Sequence, residues 1–540
     1  MNTLLVWPKF APSFFSLTGV KELIGKNTIY APLGLVTIAS ILPQDWNFKI
    51  ADCNVAPITE ADWQWAEIIM VSGMITQRID QGKIIEEAKQ RNKMVAVGGP
   101  FATSMPDEPK DAGADFLILD EGELTIPLFL EALKRGETSG TFTANGEKAD
   151  MTQSPMPRFD LLNFTDYLEL SVQFSRGCPF LCEFCDIPVL FGRKPRTKAP
   201  EQVVAELERL VELGWNRTVM LADDNFIGHK KNAIAALRVI KQWQVANEYP
   251  LNLSTEATLN LADDPKLMQL LKDAGVRAIF VGIETPDVDS LAHIKKKQNI
   301  RHPMIDRIRK TQAYGFRLLC GFIIGFDGEK PGADKRIFDF VEKASIPIVM
   351  VNLLFALPNT PLTKRLQKQN RFKFNTPQRV GELPNFVLTR PLEEVIDEYV
   401  NCLKLLYDPK IFIRRLKRNC LMMGEGSKRK KRKLIREKFE VRAAFILLWR
   451  HGAKRESRWL FWSALIEILW KNPSAFRRYI SCCGEFEHHL AYGQSLKQQL
   501  LKDFEELGDH RFDVYTPPPG DQSLDSENGT KVTVNTPVAV

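Results

Sequence analysis

Three cysteines on one short segment, Cys178, Cys182 and Cys185, are the residues of this sequence best suited to metal chemistry. They follow a strand-like stretch (LELSVQF) and a loop-forming Ser-Arg-Gly. If the nine cysteines of the chain were placed at random, this spacing would occur with a probability of about 0.002. Three thiolates on one loop can hold three corners of a cubane iron–sulfur cluster. Because a fourth cysteine at local spacing is missing, one iron would stay open to a substrate or cofactor.

The alternative for the same loop is a structural zinc site, which requires a fourth ligand. The next histidine downstream is His229, more than 40 residues away. Structural zinc sites usually combine two short knuckles of ligands. The sequence therefore favours a cluster with an open iron, an arrangement that suits catalysis better than electron transfer.

The region around this loop alternates strands and helices. Strands are predicted near 168–174, 217–222, 251–257, 278–283, 317–325 and 348–356. Helices are predicted near 200–213, 230–246, 264–274, 303–314 and 333–344. Six such repeats predict a partial (β/α)6 barrel of the TIM type, with chemistry at the C-terminal ends of its strands. Three carboxylates and a glycine lie at those ends, namely Asp224, Glu256, Glu284 and Gly325.

With its C-x3-C-x2-C loop after the first barrel strand, the sequence resembles the radical S-adenosylmethionine (SAM) superfamily. The resemblance implies a [4Fe-4S] cluster on the three cysteines, with the amino and carboxylate groups of SAM on the open iron. It also implies that polar groups after the second to fourth strands hold the SAM amino group and ribose. An aromatic residue and the fifth strand would pack near adenine. In this sequence the implied contacts are Phe184, Asp224, Glu256, Glu284, Ile323 and Gly325.

The N-terminal region is a second alternating segment. Strands are predicted at 3–7, 48–52, 67–72, 93–97 and 115–119, with helices at 34–42, 78–92, 106–112 and from about 123. This order predicts a doubly wound, Rossmann-like α/β domain over 1–140. Before such a barrel, it resembles the cobalamin-binding domain of B12-dependent radical SAM enzymes. The contacts that this resemblance implies for cobalamin are Asn54, Ser72, Gly73, Thr76, Gly98, Gly99 and Glu121.

One departure from the cobalamin-binding pattern concerns the lower face of the cobalt. Many such domains carry a D-x-H-x-x-G loop whose histidine ligates the metal. This sequence has Asp52-Cys53-Asn54 at the corresponding place, and residues 1–228 contain no histidine. Loss of that donor should favour a weakly ligated cobalt and ease access to Co(I), which accepts a methyl group.

The charge of the chain is concentrated in one segment. The formal net charge is +7, and residues 428–438 hold eight basic residues and one acidic residue. The rest of the chain has 65 basic and 65 acidic residues, so the charge does not indicate a nucleic-acid partner. We expect a linker at 141–165, the barrel at 166–375, a mainly helical C-terminal domain at 376–515 and a disordered tail at 516–540.

Four of the ten tryptophans lie between residues 449 and 470, after the basic segment. One interpretation is an interfacial helix whose cations face anionic headgroups, giving a peripheral membrane contact through 428–470. The other is that the apolar stripe packs on the barrel and the lysines form a solvated linker. The second is favoured here, because apolar stripes usually belong to a core.

Neither a signal peptide nor a membrane-spanning stretch is visible, and nine unevenly spaced cysteines do not form a disulfide framework. A cytoplasmic protein is therefore expected. The resemblance covers about 1–375 and is to cobalamin-dependent radical SAM methyltransferases with an extra C-terminal domain, hopanoid C-2 methylases among them. It implies methylation of an unactivated carbon of a small molecule or lipid, through a 5′-deoxyadenosyl radical and methylcobalamin. Electrons would come from a reductase with flavodoxin or from ferredoxin. Ring formation or rearrangement without methyl transfer, and a non-catalytic cobalamin-binding regulator, are the alternatives.

Overall fold

The computed structural model describes residues 1–14, 16, 23, 25–372, 383–424 and 438–516. Two parallel six-stranded sheets, one antiparallel two-stranded ribbon and a helical C-terminal region make up this part of the chain. The basic run at 428–433 and nearly all of the tail expected at 516–540 lie outside the described residues.

The first sheet belongs to the N-terminal region and has the order β2-β1-β3-β4-β5-β6. Its strands are β1 (Asn2–Trp7), β2 (Asn47–Asp52), β3 (Ile68–Ser72), β4 (Met94–Gly98), β5 (Phe116–Ile118) and β6 (Gly140–Phe142). Its helices are α1 (Leu33–Ile41), α2 (Glu60–Trp65), α3 (Arg78–Gln90), α4 (Gly99–Ser104), α5 (Asp107–Asp111) and α6 (Gly122–Lys134).

Helices cover both faces of this sheet because its strands are apolar on both sides. In β1, for example, Leu4 and Val6 enter one hydrophobic cluster and Leu5 enters another. All five predicted strands are present, which confirms the doubly wound domain. The sixth strand, β6, lies in and beside the segment that we expected to be a linker.

The second sheet has the order β14-β13-β12-β11-β10-β7, again parallel throughout, and confirms the partial barrel. Its strands are β7 (Leu170–Val172), β10 (Thr218–Leu221), β11 (Asn252–Glu256), β12 (Val276–Glu284), β13 (Arg317–Ile324) and β14 (Ile348–Leu353). Its helices are α7 (Ile187–Leu190), α8 (Pro200–Glu212), α9 (Lys230–Ala246), α10 (Pro265–Asp273), α11 (Val288–His293), α12 (Lys297–Ile300), α13 (Met304–Ala313) and α14 (Ala333–Ala344).

A short antiparallel ribbon holds the cysteine loop. Strand β8 (Ser175–Arg176) pairs with β9 (Arg196–Thr197), so the chain between them leaves and returns at one place. Because β8 directly follows the first barrel strand, the cysteines project from the C-terminal face of the barrel. This is the face at which barrel enzymes carry out their chemistry.

The C-terminal region is helical, as predicted. Its helices are α15 (Pro361–Lys368), α16 (Leu392–Leu406), α17 (Pro409–Met422), α18 (Lys438–Trp449), α19 (Arg458–Lys471) and α20 (Phe476–Glu506). Leu406, Phe412 and Phe486 from these helices belong to the same hydrophobic cluster as barrel residues such as Val349. This region is therefore packed as a continuation of the barrel core.

The tryptophan-rich stripe lies mostly on α19, where it is covered on one side and exposed on the other. One face of the helix, with Phe461 and Ile468 at its centre, is buried mainly against α17 and α20. A second apolar face, which includes Trp459 and Trp470, is exposed. No helix among the described residues has the length and apolar character needed to cross a bilayer.

Candidate cofactor sites

The cysteine loop is fixed where it begins. Gly177 has φ +93°, and a Cβ on this residue would lie 2.8 Å from the Gly192 carbonyl oxygen at the other end of the loop. The Gly177 N–H donates to Asp224 Oδ2 at 2.7 Å. A glycine is thus required where the two ends of the loop meet. The carboxylate that follows β10 sets the position of the loop.

The three thiols of the loop form no disulfide and retain partial solvent access. Burial raises the pKa of all three thiols, so positive charge from bound metal is needed to hold them as thiolates. Gln298 Nε2 lies 3.8 Å from Cys182 Sγ and can donate to it. In the described residues, no three His, Cys, Asp or Glu side chains form a site for a single metal ion. A four-iron cluster takes each thiolate at a separate corner, so the donor set fits a cluster better than zinc.

The two neighbouring aspartates after β10, Asp223 and Asp224, accept hydrogen bonds from backbone N–H groups of different segments. Asp223 Oδ1 accepts from the N–H groups of Phe174 and Ser175, at 2.8 and 2.7 Å. Burial raises the pKa of Asp223 to about 7 and that of Asp224 to about 6. Asp224 was predicted to contact SAM, and in the structure one of its oxygens is used to hold the cysteine loop.

Glu256, the last residue of β11, is an acceptor that no described residue satisfies. Burial, and next the charges of Asp224 and Asp223, raise its pKa to about 7. No described side chain or backbone N–H donates to its carboxylate. Glu256 is half-buried, so a ligand can reach its carboxylate, which has lost part of its hydration and is stabilised by a donor. The ammonium or ribose hydroxyl groups of SAM are donors of the required type, so this residue fits its predicted role.

Glu284 ends β12 at a change of register with β13 and has φ +67°. Its carboxylate forms a buried ion pair with Lys296. The same lysine is close enough to Cys182 to lower the pKa of its thiol against the effect of burial. Glu284 is therefore engaged by a cation of the protein beside the cluster loop. Lys296 could not be predicted as part of the site, because it stands in a run of three lysines with no local signal.

The predicted adenine contacts lie along the end of β13. The Phe184 ring in the cysteine loop is 6.0 Å from the Phe326 ring, and Ile323 is half-buried in the strand. Gly325 has φ +103°, and its N–H donates to Glu329 Oε2 at 2.9 Å. The structure thus brings Phe184 beside Phe326, just after the fifth barrel strand, and the contact of these residues with adenine stays a prediction.

A cavity of about 250 Å³ opens at the carboxyl ends of the first sheet. Four of the predicted cobalamin contacts, Ser72, Gly98, Gly99 and Glu121, line this cavity. Gly99 has φ +88°, and a Cβ there would lie 2.4 Å from Ser72 Oγ. Ligands of doubly wound sheets bind at this edge, and the absence of a side chain at Gly99 leaves room there for part of cobalamin.

The other three predicted cobalamin contacts, Asn54, Gly73 and Thr76, do not line the cavity. The Asn54 side chain accepts from the Phe10 N–H at 2.8 Å and donates to Asp52 Oδ1 at 2.9 Å. A Cβ on Gly73 would lie 2.5 Å from Gln81 Oε1. Asn54 and Gly73 thus serve the packing of the domain's own loops, and the contact of all three residues with cobalamin stays a prediction.

Arg176 connects the two candidate sites. It is two residues before Cys178, and its guanidinium pairs with Glu121 at 2.8 Å and with Glu123 at 2.8 Å. Arg196, from the returning strand of the ribbon, also pairs with Glu121, at 2.9 Å. Arg176 and Gln173 complete the wall of the 250 Å³ cavity. No local pattern could have shown this link, since it joins residues more than 50 positions apart in the chain.

A second and larger cleft, of about 1370 Å³, lies on the outer side of the cysteine loop. Pro179, Phe180 and Leu181 of the loop form one wall, and the loops after β11, β12 and β13 form the others. None of the six predicted SAM contacts lines it. The cleft therefore borders the cysteine loop, although none of the three cysteines lines it.

Comparison with known proteins agrees with this geometry. Residues 27–130 match the B12 binding domain, residues 172–341 match the radical SAM superfamily, and residues 360–502 match a domain of unknown function, DUF4070. The chain is 49% identical to an uncharacterized methyltransferase of Synechocystis sp., over 93% of this chain and 95% of that protein. It is 36% identical to hopanoid C-2 methylase of Rhodopseudomonas palustris, over 76% of this chain and 78% of that enzyme.

Among solved structures, the cobalamin-dependent SAM radical enzyme OxsB, with aqua-cobalamin and SAM bound, has a similar fold. The TM-score is 0.57 at 18% identity, covering 97% of this chain and 82% of that chain. The fold likeness thus extends to the helical C-terminal region. The cofactors of the present protein are a [4Fe-4S] cluster, SAM and cobalamin. The chain belongs to the cobalamin-dependent radical SAM methyltransferase family.

Proposed function

We propose that the protein methylates an unactivated carbon atom of a lipid or small molecule. The observation that carries this proposal is the Arg176 link, which joins the wall of the cobalamin cavity to the start of the cysteine loop. Methyl transfer to an unactivated carbon requires that a methyl donor and a hydrogen-abstracting centre both reach the same substrate molecule. A rigid connection between the two sites provides that juxtaposition.

When bound, the cluster with SAM supplies radical chemistry, and cobalamin supplies methyl-transfer chemistry. The chain's own residues position these groups. Cys178, Cys182 and Cys185 hold the cluster, Glu256 accepts from the polar groups of SAM, and Gly99 leaves room for cobalamin.

A lipid is the substrate class we favour. The relative from Rhodopseudomonas palustris is named for its action on a hopanoid, and it shares 36% identity with this chain. We also place the protein in the cytoplasm, with a peripheral membrane contact through residues 428–470.

The test is anaerobic reconstitution with SAM labelled in its methyl group, a reductant, and total lipid extract from a deletion strain. We expect label in a lipid product together with 5′-deoxyadenosine. Formation of 5′-deoxyadenosine and a new lipid without label would favour ring formation or rearrangement. A chain that binds cobalamin but never cleaves SAM would contradict the proposal.

Substitution Glu256→Gln tests the SAM contact. The substitution keeps the size of the side chain and replaces the carboxylate, which would accept from the SAM ammonium group, by an uncharged amide. Hydrogen bonds to charged groups contribute about 1.5–3 kcal/mol, so we expect SAM to bind roughly tenfold or more weakly. Equilibrium dialysis of the reconstituted enzyme measures this. The matched control is Glu208→Gln on the exposed side of α8; equal affinities in both variants would exclude Glu256 from the SAM site.

The 1370 Å³ cleft is where we propose that the electron donor, flavodoxin or ferredoxin, docks. Each carboxylate that lines it is in an ion pair: Glu183, Asp263, Asp264, Asp289 and Asp327. Four cations of the lining have no acidic partner among the described residues: Lys266, Lys295, Lys297 and Arg301. Unpaired positive charge beside the cluster loop suits an acidic redox protein.

Charge reversal at this cleft, Lys266→Glu with Arg301→Glu, should raise the KM for reduced flavodoxin about tenfold, because attraction becomes repulsion. SAM cleavage driven by dithionite should keep its rate, since a small reductant needs no docking surface. The control is Lys83→Glu with Lys134→Glu, which changes the net charge equally on the N-terminal domain. If both double variants raise the KM equally, the effect comes from the overall charge of the protein, and the cleft is not the docking site.

A further inference from the structure

Helix α19 has two apolar faces, and only one of them is covered. Phe461, Ala464, Leu465 and Ile468 are buried. Trp459, Trp462, Ile466, Leu469 and Trp470 recur on the other side of the helix and are exposed. A helix that is apolar all round is normally buried, so the uncovered face calls for a partner surface.

The neighbouring elements carry further exposed aromatic side chains. Phe445 and Trp449, one turn apart on α18, are exposed, and so is Phe476 at the start of α20. The indole N–H of Trp462 donates at 2.8 Å to the Gly452 carbonyl oxygen, in the turn that follows Trp449. The exposed fractions are 80% for Trp470, 73% for Trp459, 71% for Phe445 and 61% for Trp449. We call these eight side chains, together with the cations beside them, the aromatic face.

Cations accompany the aromatic rings at both ends of α19. The Arg458 guanidinium carbon lies 5.8 Å from the centre of the Trp459 ring, and Lys471 Nζ lies 5.9 Å from that of Trp470. Arg442, Lys454 and Arg477 are exposed on the adjoining elements and pair with no acidic group in the part of the chain that the structure describes. Around the face, acidic Glu456 and Glu467 are both engaged by lysines.

We infer that the aromatic face docks on the surface of an anionic lipid bilayer. Tryptophan is the residue most typical of the boundary between hydrocarbon and headgroups, where its ring is apolar and its N–H is polar. Arg and Lys beside such rings reach the phosphates while their alkyl chains remain in the apolar layer. A protein partner would need carboxylates placed opposite these cations. The surface of an anionic bilayer presents negative phosphates at every position, so it matches the cations without specific placement.

The docking deepens the proposed function and rests on it in one respect, because a bilayer is where a lipid substrate would be found. The aromatic face belongs to the C-terminal region, whose core is continuous with that of the barrel. Docking would therefore hold the barrel itself close to the membrane surface. The binding needs neither cofactor nor turnover, so it can be measured separately from catalysis.

The test is flotation of the full-length, reconstituted enzyme with vesicles of phosphatidylcholine mixed with phosphatidylglycerol. We expect the wild type to float, and the variant Trp459→Ser with Trp470→Ser to bind at least tenfold more weakly. The control variant, Val245→Ser with Leu501→Ser, removes exposed apolar side chains elsewhere and should bind like the wild type. Replacing phosphatidylglycerol by phosphatidylcholine should weaken binding of the wild type.

Several results would overturn the inference: no flotation of the wild type, equal flotation of both variants, or a wild-type dimer that the Trp459→Ser, Trp470→Ser variant dissociates. Should that variant fold poorly, brominated lipids test the unaltered chain, because they quench tryptophan fluorescence only on contact. SAM cleavage is assayed in parallel. Vesicle binding without methyl transfer would contradict the proposed function alone, and methyl transfer without vesicle binding would contradict the docking alone.

Discussion

Replacing Cys182 by alanine is expected to abolish SAM cleavage. The thiol is one of three that hold the cluster, and no other cysteine or histidine of the described residues joins them to replace it. Two thiolates leave a second iron without a protein ligand, so the cluster should be lost or incomplete. After anaerobic reconstitution we expect iron content well below about four atoms per chain, and no 5′-deoxyadenosine.

The matched control is Cys320→Ala. Cys320 is a fully buried thiol in β13 and is not part of the cysteine loop. Removing one buried sulfur atom costs packing but no ligand, so iron content and SAM cleavage should persist. Full iron content and normal cleavage in Cys182→Ala, or equal losses in both variants, would contradict the assignment of the cysteine loop.

The strands were predictable because each is a short apolar run between turn signals. All eleven predicted strands of the two large sheets are present, and their parallel pairing follows from the alternation with helices. Strand β6 was missed because its three residues (Gly140–Phe142) carry no apolar pattern and lie at a sheet edge. For α19 the sequence left two interpretations open, an interfacial helix and a packed stripe, because an apolar stripe does not reveal whether anything covers it.

Site residues that lie in a motif or at the end of a strand could be predicted from the sequence. Site residues that the fold brings together from distant segments could not. The cysteine loop, Glu256 and Gly99 follow from position at a strand end or from a motif. Arg176, which joins the cavity wall to the loop, contacts residues that are distant in sequence, and so does Lys296 beside Cys182. Such ion pairs depend on the relative placement of two domains or two loops, which no single segment encodes.

A buried charge network behind the cysteine loop is the clearest case. Glu183, next to Cys182, pairs with Arg365 at 2.8 Å, and Arg365 pairs with Asp327 after β13. Asp327 also pairs with Arg371 at 2.7 Å, and Arg371 is almost completely buried. Arg371 in turn donates to the Val387 carbonyl oxygen at 2.7 Å. The network therefore connects the cluster loop, the fifth barrel strand and the C-terminal region.

Substitution Asp327→Ala is expected to destabilise the barrel strongly, because it leaves the Arg371 guanidinium buried without a counter-ion. Breaking a buried pair from one side costs about 3–5 kcal/mol. Burial alone would raise the pKa of Asp327, but its bonds to Arg371 and Arg365 hold that pKa below its usual range. The stabilisation is therefore complete at neutral pH, and it is lost only as the pH falls through the lowered pKa in acid.

The measurement is the thermal midpoint of the reconstituted enzyme at neutral pH, together with its iron content. Asp289→Ala is the control, because Asp289 lines the same cleft but pairs with Lys330 at the surface, where both side chains are more than 70% exposed. Such a pair contributes at most about 1 kcal/mol, so the control should melt close to the wild type. We expect Asp327→Ala to lose iron as well, since Arg365 then has only Glu183 to hold it beside the cluster loop. Equal midpoints for the two variants would show that Arg371 finds other compensation and that the network does not stabilise the loop.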